Sequence, residues 1–509
     1  MSPSTTALAS RVLMLGIDGL SSSFLRAPVV TDNMPILSSL IEKSASGPLW
    51  STFPPYTGPA WTSITTGVGP GRHGVFGFTD RAGHPCSDAT VSAPRLWDYV
   101  GKAGGRSIVL NVPMTHPPRA IEGVMVSGMP APTPEIAYPS NLASQLQARD
   151  YVVDIAVAEG GREGSSTLDS LAEMTRRRGE VAAWLARSQP WDLYAIVFVL
   201  PDRLGHPWWK QIVPDDGLYE SRRAERVRRG VRPALVALDE AIGGLLESLP
   251  QGTAVVLCSD HGFGPLQADV FFDLVLAEAG LAATGPQTGL RRTLARAGRS
   301  RPAQYAPKAL HRWAREKASG PTEALERRAW TTPPYESGVR LADSADQGLR
   351  ERITELLLEL KTPDNRQAVG SVIRREDLYS GARTDEAADL LCKMVDETVG
   401  LHNGMHATTP WVSRDHLPWG THASEGIVAI SGVPAPDALN GAAPDIAPTV
   451  LGLLGLEAKG LDGHPLVPLG SKLTSVSAES HTAPEGQGGY SPDQEAAVLE
   501  QLRSLGYVD

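Results

Sequence analysis

Cysteine is scarce in this chain of 509 residues, which contains only Cys86, Cys258 and Cys392. The three residues lie far apart, their number is odd, and no two of them form a CxxC pair. This pattern excludes a disulfide framework and a zinc site built on cysteine. We expect all three to be reduced thiols with a structural role.

Long apolar runs are also missing. The N-terminal segment MSPSTTALASRVLMLGIDGL has one arginine and a short apolar run that is followed by an aspartate, so it does not match a signal peptide. No stretch of the sequence approaches the apolar length that is needed to cross a bilayer. We therefore expect a cytoplasmic protein without a membrane anchor.

An excess of positive charge is absent as well. The formal net charge is -10, and 41% of the residues are hydrophobic against 20% charged. The basic run SRRAERVRRG at 221–230 is local and flanked by acids, and we interpret it as the solvated face of a helix. This composition is typical of a soluble globular protein and argues against a nucleic-acid-binding function.

What the chain does contain is a series of short apolar runs, rich in β-branched residues, that alternate with helix-like segments. This pattern predicts an α/β fold with a doubly wound, mainly parallel central sheet that is covered on both faces. The amphipathic segment RRGVRPALVALDEAIGGLLESLP predicts a crossover helix between the third and fourth strands. The predicted strands cover residues 11–18, 106–112, 193–200, 253–260 and 426–432.

The length of the chain exceeds the size at which a single hydrophobic core stops growing. We expect a core domain formed by residues 1–265 and 416–470. Between these two parts, residues 266–415 form a smaller inserted α+β region, which we expect to act as a cap that sets specificity. A polar linker at 471–490 and a C-terminal helix at 491–509 complete the predicted organisation.

Three of the predicted strands end in an aspartate, at Asp18, Asp202 and Asp260. In open α/β sheets, ligands bind outside the carboxyl ends of the strands. Three carboxylates at one edge repel one another unless a cation lies among them. A single aspartate at such a position is usually a helix cap or turn residue, but the coincidence of three predicts a metal site.

Histidines accompany these acids. His206 follows Asp202 by four positions in PDRLGH, His261 follows Asp260 directly in SDHGFG, and His422 enters the last predicted strand from a turn that contains glycine. Aspartate and histidine donors with open positions suit a catalytic zinc ion. The alternatives to His422 are His402, His406 and His416.

Thr57 lies in the Pro/Gly-rich turn FPPYTGPAW, just before a helix-like run. A threonine hydroxyl is a weak nucleophile, but a metal ion lowers the pKa of an oxygen that it coordinates, which makes Thr57 a candidate covalent nucleophile. The backbone N–H groups at the start of the helix, with Gly58 among them, would hold an anion against Thr57. The alternative interpretation of Thr57 is an ordinary N-cap.

These motifs carry a resemblance to a known family. The sequence resembles the type I phosphodiesterase/nucleotide pyrophosphatase family of the alkaline phosphatase superfamily through LGIDG, TGPAWTSITTGVGPGRHGVFGF, PDRLGH, SDHGFG, GTHASEGI and DIAPTVLGLLGL with LDGHPL. The resemblance implies an alkaline phosphatase-like fold, a threonine nucleophile and two zinc-type ions, for which manganese or iron would be alternatives. It further implies in-line attack by Thr57 on a small-molecule phosphate ester, with a phospho-threonine intermediate.

The resemblance also implies how the ligands divide between the two ions. One ion would be held by Asp202, His206 and His422, and the other by Asp18, Asp260, His261 and the Thr57 oxygen. Two divalent ions would balance three carboxylates and a threonine alkoxide. Such a neutral site can accept a phosphodiester anion without a large repulsion.

The sequence departs from the family pattern near the HG motif. Nucleotide pyrophosphatases of the family have an asparagine shortly after HG that contacts the phosphate, whereas HGVFGFTD has Gly77 and Phe78. We take Phe78 and Asn111 as candidate substrate contacts, although turn capping is the alternative for Asn111. Trp208, next to His206, is a candidate contact for an apolar or aromatic substrate group, with simple packing as its alternative.

Neighbouring families fit less well. A sulfatase needs a C/S-x-P-x-R pattern that TGPAW lacks, a cofactor-independent phosphoglycerate mutase would use serine, and phosphoethanolamine transferases carry membrane segments. Phosphomonoester hydrolysis and phosphonate hydrolysis at the same site stay open as alternatives. So does a protein of another class, which binds a phosphorylated ligand through metal ions without hydrolysing it.

Overall fold

The structure is a computed structural model, and it describes residues 7–132, 134–155, 157, 165–214, 218–281, 328–403, 407, 409–479, 490–504 and 507–508. The chain divides into two compact units. The first unit comprises Met1–Pro265, Tyr379–Ala387 and His416–Asp509, and the second comprises Leu266–Leu378 and Ala388–Asp415.

The strands, in chain order, are β1 (Arg11–Ile17), β2 (Ala45–Trp50), β3 (Ser107–Val112), β4 (Gly123–Ser127), β5 (Ala137–Tyr138), β6 (Leu193–Phe198), β7 (Thr253–Cys258), β8 (Gly262–Pro265), β9 (Ala268–Phe271), β10 (Ala329–Thr331), β11 (Gly338–Leu341), β12 (Val369–Arg374), β13 (Leu390–Met394), β14 (Val399–His402), β15 (Trp411–Ser413), β16 (Gly420–Ala423), β17 (Glu425–Ser431), β18 (Gly441–Ala442), β19 (Leu456–Ala458) and β20 (Thr474–Val476). The helices are α1 (Ser22–Leu25), α2 (Pro28–Thr31), α3 (Pro35–Glu42), α4 (Thr57–Thr66), α5 (Pro70–His73), α6 (Leu96–Lys102), α7 (Leu142–Gln147), α8 (Ser165–Ser188), α9 (Leu200–Ile212), α10 (Arg222–Glu247), α11 (Phe272–Glu278), α12 (Gln347–Leu358), α13 (Arg375–Leu378), α14 (Ile446–Leu453) and α15 (Pro492–Ser504).

The first unit is built on one large sheet, whose described strands run in the order β18-β2-β17-β7-β1-β6-β3-β4-β5. The strands from β7 to β4 in this order are parallel, whereas β17 is antiparallel to β7 and β5 is antiparallel to β4. β3 and β6 are buried along their whole length, as expected for parallel strands with helices on both faces. The predicted doubly wound, mainly parallel α/β fold is confirmed, while the antiparallel direction of β17 was not predicted.

The predicted crossover helix is α10, which begins earlier than its amphipathic segment, at Arg222. Its buried residues recur at three and four positions, as at Val231, Leu235, Leu238 and Ile242, which gives the helix one apolar face. α10 packs against α8 and α9 on the sheet. Helices α9 and α10 connect β6 to β7, and their packing positions the ends of these strands, near which Asp202 and Asp260 lie.

The second unit has its own hydrophobic core. It contains an antiparallel sheet in the order β10-β11-β13-β12 and a smaller sheet in the order β14-β9-β15. Residues 282–327 of the predicted cap and residues 480–489 of the predicted linker lie outside the described part of the chain. Among the helices that the structure describes, none combines the length and apolar character needed to cross a lipid bilayer.

Candidate metal centre and nucleophile

The predicted acids meet at one edge of the central sheet because three neighbouring parallel strands end there. β6, β1 and β7 are adjacent, Asp18 directly follows β1, Asp260 lies just beyond β7, and Asp202 is in the first turn of α9, which follows β6. The backbone N–H of Asp202 donates to the backbone carbonyl of Asp18 at 3.2 Å. The strand ends are therefore in direct contact.

One group of side chains surrounds His261. Its Nε2 lies 3.6 Å from Asp18 Oδ1 and 3.3 Å from Asp260 Oδ2. The same nitrogen lies 3.3 Å from Thr57 Oγ1. All four residues are buried, so their ligand atoms face one another and not bulk water.

A second group surrounds one oxygen of Asp202. His206 Nε2 and His422 Nε2 each lie 3.3 Å from Asp202 Oδ1, and the two nitrogens are 3.2 Å apart. The ring of His261 stacks on that of His422, with centroids 3.8 Å apart. The two groups are thus contiguous, and ligand atoms of Asp202, His261 and His422 lie within 4.8 Å of one another.

Each of the three carboxylates has one oxygen held by a donor. Asp18 Oδ2 accepts a hydrogen bond from Trp61 Nε1 at 3.0 Å, and Asp260 Oδ1 accepts one from the Gly19 N–H at 3.2 Å. Asp202 Oδ2 accepts one from the Arg203 guanidinium. The outer oxygens are fixed in this way, which fixes the orientation of all three carboxylates.

The other oxygen of each carboxylate accepts no hydrogen bond from the described residues. These oxygens are Asp18 Oδ1, Asp202 Oδ1 and Asp260 Oδ2. They are also the oxygens that face the histidine Nε2 atoms. Because a buried carboxylate oxygen without a partner is costly, this arrangement fits divalent cations that would bind the inward-facing oxygens.

Two of the histidines are oriented by backbone carbonyls. His261 Nδ1 lies 2.9 Å from the carbonyl oxygen of Gly262, and His422 Nδ1 lies 3.1 Å from that of Pro55. A carbonyl only accepts, so Nδ1 carries the proton in both rings and Nε2 presents its lone pair. Such a carbonyl partner is typical of metal-binding histidines.

The electrostatics of the site also favour a cation. Burial raises the pKa of Asp18 well above its usual range, and repulsion from Asp202 adds to the effect. Burial and repulsion from Asp18 do the same to Asp260. Burial also disfavours the charge of Asp202, but His206 and Arg203 outweigh it and hold the pKa of Asp202 well below its usual range. Without added positive charge, the three carboxylates cannot all ionise at little cost.

Thr57 is the first residue of α4, and the preceding Tyr56 occupies the N-cap position. The structure therefore does not use Thr57 as an N-cap, and its hydroxyl points to His261. No side chain caps the start of α4. Its first N–H groups, at the positive end of the helix dipole, lie beside the hydroxyl and can receive an anion.

The turn that carries Thr57 is held from two sides. His422 Nδ1–H donates to Pro55, as described above, and the Tyr379 hydroxyl donates to the carbonyl oxygen of Phe53 at 2.7 Å. Tyr379 belongs to the short segment Tyr379–Ala387 that is part of the first unit. These contacts restrict the position of the hydroxyl relative to the acids.

The predicted substrate contacts lie in different surroundings. Phe78 is buried against Tyr56 and near Gly58, and Trp208 lies in the hydrophobic core. Asn111 Nδ2 donates to the carbonyl oxygen of Val197 at 3.1 Å. The substrate-binding roles of Gly58, Phe78, Asn111 and Trp208 stay predictions.

The alternatives to His422 are placed elsewhere. His402 Nε2 lies 3.1 Å from Asp269 Oδ1, in the second unit, and His416 is exposed. His406 lies outside the described residues. Among the described histidines that we considered for this position, His422 is the one in contact with Asp202.

Sequence reasoning missed several residues that support the site. Trp61 lies one helical turn after Thr57, a spacing that places both on one face of α4 and could have revealed it. Arg203 is adjacent to Asp202 in PDRLGH and also binds Asp154 through both carboxylate oxygens, at 3.1 and 2.6 Å. No local signal marks Tyr507, whose hydroxyl accepts from Arg203 across 304 positions.

The fold is shared with solved structures. Phosphonoacetate hydrolase from Sinorhizobium meliloti 1021, in complex with phosphonoformate, aligns with a TM-score of 0.53 at 15% identity, covering 88% of this chain and 96% of that chain. The same enzyme in complex with phosphonoacetate aligns with a TM-score of 0.52 at 15% identity over the same shares. Human ectonucleotide pyrophosphatase/phosphodiesterase 5 aligns with a TM-score of 0.49 at 14% identity, covering 89% and 97%. At 15% identity, the two alignments with phosphonoacetate hydrolase show the fold alone.

No curated protein matches the sequence significantly. The sequence does match the family described as type I phosphodiesterase / nucleotide pyrophosphatase over residues 12–422, a span that includes Asp18, Thr57, Asp202, Asp260 and His422. This match covers most of the chain and confirms the resemblance seen in its motifs. The chain therefore belongs to the type I phosphodiesterase/nucleotide pyrophosphatase family, whose members are phosphoester hydrolases.

Proposed function

We propose that this protein is a metal-dependent phosphodiesterase with Thr57 as its nucleophile and two divalent ions of the zinc type as cofactors. The observation that carries the proposal is the convergence of three donor-free carboxylate oxygens and three histidine Nε2 atoms beside one buried threonine hydroxyl. A structural role would not require the donor-free oxygens of three buried carboxylates to face the same histidines.

The residues present fit two ions. Asp202, His206 and His422 would hold one, and Asp18, Asp260, His261 and the Thr57 oxygen would hold the other. Ions bound there would supply Lewis-acid stabilisation of the negative charge on the phosphoryl group and on the oxygens that gain and lose it. The mixture of aspartate and imidazole donors favours zinc, while manganese or iron would bind the same set.

The residues of the chain supply nucleophile and positioning. Thr57 Oγ1 forms a bond to phosphorus, the bond to the leaving alcohol breaks, and the threonine proton ends on the leaving oxygen. A water molecule then bonds to phosphorus, the bond to Thr57 breaks, and the threonine regains a proton while a phosphomonoester leaves. The N–H groups at the start of α4, including that of Gly58, would donate to a non-bridging oxygen during both steps.

The charge balance favours a singly charged substrate. Arg203 pairs with Asp202 and Asp154, so the three acids of the site and Asp154 together place four carboxylates against one guanidinium. Two divalent ions would offset this excess and the charge of the nucleophile, leaving a site that receives a phosphodiester monoanion. Binding of a monoester dianion would require additional positive charge in the site.

The first test is the hydrolysis of bis(p-nitrophenyl) phosphate, p-nitrophenyl phosphate and phosphonoacetate by the full-length, zinc-reconstituted protein. We expect the diester to be preferred, and we expect Thr57→Val to lower kcat/KM at least about 10³-fold, as the loss of a nucleophile does. Preference for p-nitrophenyl phosphate would indicate a phosphomonoesterase, and preference for phosphonoacetate would indicate a phosphonate hydrolase. Bound metal without hydrolysis of any substrate would indicate a binding protein.

The matched control is Thr66→Val, which removes the same hydroxyl from the other end of α4. Thr66 Oγ1 donates to the carbonyl oxygen of Thr62 at 2.7 Å and contacts none of the acids. We expect this variant to retain activity. Full activity in Thr57→Val would disprove the nucleophile assignment.

A further inference from the structure

The C-terminal part of the chain enters the metal site. Within α15, Val498 and Leu502 are fully buried, and Gln501 Oε1 accepts a hydrogen bond from the Ala131 N–H at 3.2 Å. The Tyr507 N–H donates to the carbonyl oxygen of Leu502 at 3.0 Å. Tyr507 itself is only 1% exposed.

The ring of Tyr507 lies among residues that flank the nucleophile and the second metal group. Its centroid is 4.8 Å from that of Phe78, 5.7 Å from that of Tyr56 and 6.4 Å from that of His206. Tyr56 immediately precedes Thr57, and His206 is a predicted metal ligand. The ring therefore forms one wall of the site between these two groups.

The hydroxyl of Tyr507 has a polar role in this wall. Arg203 NH1 donates to Tyr507 Oη at 3.3 Å and also to Asp202 Oδ2, while the rest of the guanidinium binds Asp154. A phenylalanine would fill the same apolar space, so the hydroxyl serves the charged network and not the packing. Because Arg203 holds the outer oxygen of Asp202, anything that fixes Arg203 also fixes the inward oxygen.

We propose that Tyr507 is a positioning residue, supplied by the C-terminal tail, that orients the Asp202 carboxylate through Arg203 and closes the site beside His206. This inference rests on the proposed metal-dependent function. It assigns an active-site role to a segment that lies beyond the residues matched to the family and far from the acids in sequence. Removal of a residue that hydrogen-bonds to a metal ligand, without binding the metal itself, typically lowers metal affinity by about 10–100-fold.

The test is a zinc titration against a chromophoric chelator, with the full-length wild-type protein, Tyr507→Phe, Tyr507→Ala and Tyr490→Phe. Tyr490 is the matched control, because its hydroxyl donates to the backbone carbonyls of Cys86 and His116 and not to the site. We expect Tyr507→Phe to lower the affinity for one of the two zinc ions about tenfold. The affinity for the other ion and the melting temperature should be unchanged. Tyr490→Phe should bind both ions as the wild type does.

Steady-state kinetics with bis(p-nitrophenyl) phosphate give a second readout. At saturating zinc, Tyr507→Phe should recover most of the wild-type kcat, whereas Tyr507→Ala should show a changed KM because one wall of the site is missing. Zinc affinities and kinetic constants equal to those of the wild type in both Tyr507 variants would overturn the inference. If the wild type hydrolyses no ester, the proposed function fails, yet the zinc titration still decides the role of Tyr507.

Discussion

Two clusters of acids in the first unit, one fully buried and one partly buried, are neutralised in different ways. The arginine-paired cluster consists of Asp88, Asp98, Arg95 and Arg119. Arg119 lies 2.8 Å from Asp88 and 2.7 Å from Asp98, and Arg95 lies 3.1 Å from Asp88. Two guanidinium groups thus match two carboxylates, and Arg95 also donates to Thr65 and Met114, so the charges balance within the protein, although Asp88 Oδ1 accepts no hydrogen bond from the described residues.

The metal-edge cluster, formed by Asp18, Asp202 and Asp260, has no such balance of charge. Arg203 binds only Asp202 among them and shares its charge with Asp154. The inward oxygens of all three acids accept no hydrogen bond from the described residues. This difference indicates that buried acidic residues alone do not mark a functional site. Buried acidic residues without enough basic residues nearby to balance their charge do indicate one, because a bound cation can supply the missing positive charge.

The largest expected contrast is in stability. Arg95→Met should leave Asp88 buried with less compensation and lower the free energy of unfolding by about 3–5 kcal/mol, with or without zinc. Asp18→Asn in metal-free protein at neutral pH should instead raise the free energy of unfolding, because burial and repulsion from Asp202 raise the folded pKa of this carboxyl and its charge costs stability above the unfolded pKa. Chemical denaturation of both variants measures the contrast. Equal losses would show that the two clusters serve the same structural purpose.

A smaller effect is expected at Glu336, a buried acid in the second unit. Burial raises the pKa of Glu336 to about 8, against the opposing effect of Arg340. Because the folded pKa exceeds the unfolded one, its contribution to stability is complete below about pH 4.5 and is lost as the pH rises toward 8, by at most about 1.4 kcal/mol per pH unit. Glu336→Gln should remove this slope.

The measurement is the denaturation midpoint of the wild type and of Glu336→Gln between pH 5 and 8. We expect the wild-type midpoint to fall relative to that of the variant as the pH rises. Parallel curves would contradict the raised pKa of this acid. The result would show whether a buried acid outside the metal edge lowers the stability of the protein at neutral pH.

Much of the fold could be predicted because buried parallel strands are continuous apolar runs. The acids at the carboxyl ends of β1 and β7 could be found from the chain alone, since each follows its run directly in sequence. Val199 lies between β6 and α9, and Leu200 belongs to α9, so the predicted third strand, 193–200, was too long by these two residues. The apolar run could not reveal where strand gives way to helix, because both are buried there.

The parts of the site that could not be predicted depend on contacts between distant segments. Tyr379 reaches Phe53 across 326 positions, and Tyr507 reaches Arg203 across 304 positions. Both lie in segments whose local pattern indicates only a loop or a short helix. Their placement follows from packing, which composition and periodicity do not encode at that range.

The central claim is that the metal-edge cluster binds two divalent ions, and metal content tests it most directly. The full-length protein, reconstituted with zinc and freed of excess metal, should contain about two zinc ions per chain, as measured by inductively coupled plasma mass spectrometry. Asp202→Asn should retain about one ion, and Asp98→Asn, from the arginine-paired cluster, should retain both. Wild-type protein without bound metal, or an Asp202→Asn variant with undiminished zinc, would contradict the account.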